Sequence, residues 1–250
     1  MSYPAEQLAG SSGTPTRFGR RVHCKTGTLA LGKLEAMSIE GDPSVYAEYM
    51  NEIKWRMAYF DSLREKNSRT FSVTEIESLA LQMRMIFEVI ALSTIASHRE
   101  AFEASRKHIL KDWKLSRIVK SVKKMNPNYF PVPIKEELVA YSEFDLIRHI
   151  PVENDHLTEI EMVSNHGHLG NILHARSRYK DDLDCSDLLN RLLVCKDRII
   201  RLLNKHVVTL YGEKRMIFVM MKGPSGDVTW EYCRKVEPND WPNEIKGTKL

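Results

Sequence analysis

Arg201 and His206 stand in an R-x4-H arrangement at the end of a run of apolar residues with helical spacing. An arginine can hold the charge that builds on a phosphate, and a histidine can move a proton, so the pair could serve acid–base chemistry at a phosphate. The plainer alternative is structural. With 18 Arg and 9 His in the chain, roughly two Arg-His pairs separated by four to six residues are expected by chance. Two occur, the other being Arg17 and His23 in the N-terminal segment. His206 also prolongs an apolar stripe, where a buried, hydrogen-bonded histidine is the common case.

Two further constellations could do chemistry. His166, His168 and His174 lie in SNHGHLGNILHAR. On a helix His166 and His168 diverge by about 200°, and His166 and His174 are two turns apart, so no shared metal is expected. Gly167, Gly170 and His174 instead fall on the stripe of Ile160 and Val163, where glycines would let a neighbouring helix approach. Arg84 and Glu88 lie one turn apart in the most apolar segment. They are expected to form a buried ion pair that fixes helix register, with pocket lining as the alternative.

The largest charge feature is residues 105–125, which hold eight Lys/Arg and one acid against a net charge of +4 for the whole chain. Arg106, Lys107, Lys111, Lys114, Arg117, Lys120, Lys123 and Lys124 are the candidate binding residues. At 100° per residue Leu115, Ile118, Val119, Val122 and Met125 share one helix face, and Lys114, Arg117, Lys120, Lys123 and Lys124 share the other. Asp112 is placed to cap this helix and Asn126-Pro127 to stop it. Such a face can track phosphates of RNA or DNA, dock an acidic protein partner, or brush an anionic membrane. It can equally be a solvated surface neutralised by tertiary neighbours. Arg17, Arg20, Arg21 and Lys25 form a second basic cluster. No glycine-rich aromatic RNA-binding signature accompanies either, so base-specific reading has no support.

The elements that must position these residues read mostly as helices. Asp42-Pro43 opens one that runs to about Lys66. Ser72 and Glu75 form a capping box, with Phe71 and Ile76 as its staple, before the apolar run 73–97. Residues 99–111 continue helical into the basic helix. NPNYFPVP (126–133) is an extended connector, because each proline turns its predecessor away from helix. Residues 134–148 read as a short amphipathic helix. Leu157, Thr158, Glu161 and Met162 open another to about Arg176. Asp184 precedes a last one with Leu188, Leu192, Cys195, Ile199, Leu202 and His206 on its stripe. VVTLY, RMIFVMM and VTWEYCRKV are rich in β-branched and aromatic residues around a KGPSGD turn, which predicts a small terminal hairpin.

Composition excludes several classes. There is no phosphate-binding loop, no dinucleotide fingerprint, no zinc-protease helix motif and no nucleophile elbow. No cofactor is implied. Cys24, Cys185, Cys195 and Cys233 show no metal-type spacing and read as reduced thiols, consistent with a cytoplasmic setting. The N-terminus lacks a signal-peptide core. Glu77, Gln82, Arg84 and Glu88 make 76–96 a poor membrane span, so no membrane span is expected.

The Arg201/His206 spacing resembles the Arg-x(4–6)-His motif of HEPN ribonucleases, all-helical proteins that cut RNA without metal; Leu202 stands where a polar residue is frequent in that family. LALQMRMIFEVIALSTIASHREAF followed by KDWKLSRIVKSVKKMNPNYFPVPI resembles a group of uncharacterised bacterial helical proteins. His174-Ala175 and Leu202-Leu203-Asn204-Lys205-His206 are similar to later elements of that group, over about residues 75–220. The resemblance implies a helical layout loosely similar to HEPN-type bundles and carries no activity.

The sequence therefore predicts a mainly α-helical bundle over 42–236 with a small C-terminal β-hairpin at 207–236, between a mobile basic segment (1–41) and a polar tail (237–250). The leading functional reading is a non-enzymatic helical interaction protein whose basic helix (106–124) binds nucleic acid or an acidic protein. The alternative is a HEPN-like ribonuclease using Arg201 and His206, for which a homodimer would bring two copies of the pair together. A structural subunit of a larger assembly is the third.

Overall fold

The computed structural model describes residues 41–66, 71–98, 103, 114–141, 144–173, 185–212 and 216–233. The segment expected over 1–41, Gly41 apart, the tail over 237–250 and nearly all of the continuation over 99–111 lie outside these residues. So do Arg106, Lys107, Lys111, Asp112 and His174.

Local capping chemistry sets the helix starts. Helix α1 (Pro43–Lys66) begins where Asp42 Oδ1 accepts from Ser44 N at 2.8 Å. Helix α2 (Val73–Ala96) starts at the full capping box of Ser72 and Glu75. The two helices run antiparallel, joined by Arg56 to Gln82 at 2.7 Å and Tyr59 to Ser78 at 2.9 Å. By length and composition α2 could cross a membrane, and 61% of its most apolar window is buried inside the fold. Helix α3 (Leu115–Met125) has Lys114 at its N-cap position, without a side-chain cap. Helix α4 (Glu159–Leu173) opens on the reciprocal Thr158–Glu161 bonds of a second capping box. Helix α5 (Cys185–Leu203) buries Leu188, Leu192, Cys195, Ile199 and Leu202 as its stripe predicts. It stops at Leu203, so His206 does not belong to it.

The expectation of a mainly helical bundle with a small hairpin is overturned by a five-stranded antiparallel sheet, which makes the fold mixed α/β. Its strands are β1 (Val132–Tyr141), β2 (Phe144–Pro151), β3 (Lys205–Thr209), β4 (Met216–Met220) and β5 (Thr229–Cys233), in the order β2-β1-β3-β4-β5. The helix expected over 134–148 is a β-ribbon. Ile134, Leu138 and Tyr141 satisfy helical spacing, but Pro131 and Pro133 hold the chain extended as it enters, and eight residue pairs from Ile134↔Pro151 to Tyr141↔Phe144 complete the ladder. The terminal strands are where their composition puts them. They do not form a separate hairpin, because β3 pairs with β1 at Val132↔Val207 and Pro133↔His206.

One buried cluster joins the layers. Ile76, Met83, Ile86, Phe87 and Ile90 of α2 lie in the same apolar cluster as Ile118 and Val122 of α3, Leu192 and Ile199 of α5, and Ile217 and Val219 of β4. Phe218 points to the other sheet face, where the His149 ring lies 4.5 Å away. Asn126 Nδ2 donates to Thr209 O at 2.7 Å, tying the end of α3 to β3.

Candidate functional site

Helix α3 separates its two faces as the sequence predicts. Leu115, Ile118, Val119 and Val122 are buried, while Lys114, Arg117, Lys120, Lys123 and Lys124 are exposed. No acidic residue interrupts the helix. Lys123 reaches the Glu159 carboxylate at 2.8 Å, at the start of α4. Lys120 and Lys124 have no acidic partner among the described residues. The face is held rigidly, because four apolar side chains anchor it from behind and Asn126 fixes its end.

Arg201 and His206 are not brought to a common surface. The Arg201 side chain is about half exposed and pairs with Asp155, whose carbonyl also accepts from it at 3.3 Å. Asp155 has a left-handed backbone, φ 66°, in the loop before α4. Arg198, one turn earlier, donates to the His156 carbonyl at 2.8 Å and pairs with Glu161. These two arginines thus clasp a loop. His206 is 0% exposed. Its Nδ1 donates to Leu203 O at 2.8 Å and its Nε2 accepts from the Tyr46 hydroxyl at 2.9 Å. Burial pushes its pKa down to about 4, against a smaller opposing effect of the Leu203 hydrogen bond. An imidazole with both nitrogens engaged and no solvent contact has no nitrogen left for a substrate proton.

The charged residues of α2 do not pair with each other as expected. Glu88 Oε1 lies 2.9 Å from His166 Nε2 on α4, and Arg84 has no hydrogen bond or ion pair among the described residues. The reason is Gly170. A Cβ there would sit 3.2 Å from Arg84 Nη1, so the glycine lets the guanidinium lie against α4, where His166 has taken up Glu88. Arg84 and His166 line a cleft of about 460 Å³ between α2, α4 and the start of α3.

The chain matches no family model, no curated protein and no solved structure. Its chemistry rests on these residues.

Among the described residues no group of three or more His, Cys, Asp or Glu side chains is arranged to hold a metal. Cys185, Cys195 and Cys233 are free thiols, and burial raises the Cys195 pKa to about 12, which leaves it unreactive. Pocket lining, the alternative reading of Arg84 and Glu88, is met by Arg84; the part played by His166 was not legible, because Glu88 and His166 are 78 residues apart. The signal of the cleft was there in two halves, charges inside the most apolar helix and Gly170 opposite them. The expected packing stripe is not met at Ile160 and Gly167, which are exposed; the buried side of α4 is Met162, His166, Leu169 and Gly170.

Proposed function

We propose that this protein is a non-enzymatic α/β binding module that docks on the phosphate backbone of nucleic acid through the exposed face of α3. The observation that carries this reading is a run of five exposed cations on one side of α3 and its N-cap, in a helix that holds no acidic residue and is backed by four buried apolar ones. Lys123 is paired with Glu159, and Lys120 and Lys124 have no acidic partner among the described residues. A fixed array of cations gains affinity by releasing counterions condensed on the polyanion, without ordering a flexible tail. Backbone contacts of this kind fix position without reading sequence, which agrees with the lack of a base-reading motif.

The test is binding of random-sequence duplex DNA and of mixed RNA across a salt series. The wild-type affinity should fall steeply with salt. Lys120→Ala/Lys124→Ala should weaken binding and flatten the log–log slope by about one unit per lysine removed. Binding that is absent, salt-insensitive or unchanged in the double variant overturns the nucleic-acid reading, and a stoichiometric acidic protein that co-purifies only with the wild type would replace it.

A further inference from the structure

We infer that the cleft between α2, α4 and the start of α3 is a binding site for a phosphate monoester. Of its lining side chains among the described residues, Arg84 and Lys114 are cationic, His166 and His168 are imidazoles, and none is a carboxylate. The nearby carboxylate of Glu88 is occupied by His166 at 2.9 Å. Arg84 is the decisive group: a half-buried guanidinium with no partner among the described residues, held against α4 by the absence of a side chain at Gly170. A planar cation that has lost part of its water without gaining an acid is matched by a bidentate oxyanion.

The rest of the wall gives the ligand its second half. Leu115 and Val163 supply apolar surface, and Ser164 and Asn171 supply hydrogen-bonding groups. A volume of about 460 Å³ is far more than a bare phosphate fills and lies in the range of small-molecule sites. The phosphate would sit on Arg84 with the organic part along Val163 and Leu115. The phosphate could belong to a free metabolite or to the 5′ end of a nucleic-acid strand. Glu88 acts as a positioning residue, holding the His166 ring.

Gly167 allows a test that leaves the fold intact. It lines the cleft and is exposed, and a Cβ added there meets nothing within 4 Å. Gly167→Leu should therefore narrow the cleft, its Cβ meeting nothing within 4 Å, and raise the thermal midpoint, since a helical glycine is replaced by a good helix former. Inorganic phosphate and phenyl phosphate would be titrated calorimetrically into the full chain. Saturable binding, tighter for phenyl phosphate, is expected. It should weaken about tenfold or more in Arg84→Ala and weaken also in Gly167→Leu while that variant melts no lower than wild type. Two oligonucleotides of one sequence, with a 5′-phosphate or a 5′-hydroxyl, separate the sources: preference for the phosphorylated strand assigns the strand end, and equal binding assigns a free monoester. No saturable binding of either phosphate probe, or binding unchanged in both variants, overturns the proposal.

Discussion

His206 illustrates how a polar side chain becomes part of a core. Tyr46, Leu203 and His206 come from α1, the end of α5 and β3, and their hydrogen bonds satisfy a ring that is 0% exposed. The folded pKa near 4 lies below the ordinary 6.5. Between these values the unfolded chain binds the proton and the folded one does not, so stability is fully present above about pH 6.5 and is lost as pH falls towards 4. The difference corresponds to roughly 3 kcal/mol. Urea midpoints measured from pH 7 to pH 4 should show this loss in the wild type, and His206→Gln should lack that component. An identical pH dependence in both would mean that the imidazole titrates normally and the hydrogen-bond network opens in the native state. At this scale the sequence is legible where partners are close. Ser72 with Glu75 and Thr158 with Glu161 bond as read because each pair is three residues apart. Glu88 fails the same kind of reading because its partner, His166, comes from another helix 78 residues away.

At the scale of elements, α3 was readable because its period is unambiguous and its charges are segregated, while β1 and β2 were not. A run such as IKEELVAY supports either period, and the choice depends on a ladder with PheAspLeuIle-type neighbours that only the folded ribbon supplies. The end of α3 matters as much as its face. Asn126 is buried, donates to Thr209 O at 2.7 Å and accepts from Asn128 N at 3.2 Å. Asn126→Ala removes both bonds and leaves the Thr209 carbonyl without that donor, so it should cost about 2 kcal/mol. Urea denaturation is expected to show a lower midpoint with an unchanged m-value. A loss below about 0.5 kcal/mol, the scale of an ordinary surface substitution, would mean that the apolar face of α3 alone holds it against the sheet. The expected helix-borne His206 belongs here too: α5 stops at Leu203 because Lys205–Thr209 is claimed by β4 on one side and β1 on the other.

Across the described residues, α2 and β3 are the joints. Helix α2 contributes Ile76, Met83, Phe87 and Ile90 to the cluster that also takes in α3, α5 and β4. Strand β3 links the β1–β2 ribbon to the β4–β5 pair. This connectivity was invisible in the sequence, since no local pattern says that Val132 will lie opposite Val207, and strands of such separation are chosen by the whole packed structure. A shared core predicts shared unfolding. Phe87 is fully buried, and Phe87→Ala should destabilise the chain by about 3–5 kcal/mol. The loss should register equally in far-UV circular dichroism, which follows the helices, and in the fluorescence of Trp230, which stands in β5 and packs against the core. The fluorescence is best read with Trp55, Trp113 and Trp241 changed to Phe. Coincident transitions that shift together tie helices and sheet into one cooperative unit. If the helical signal moved and the Trp230 signal stayed, the sheet would be folding on its own, and the rigidity of the α3 face would have to come from its contacts with α2 and α4 instead of from β3.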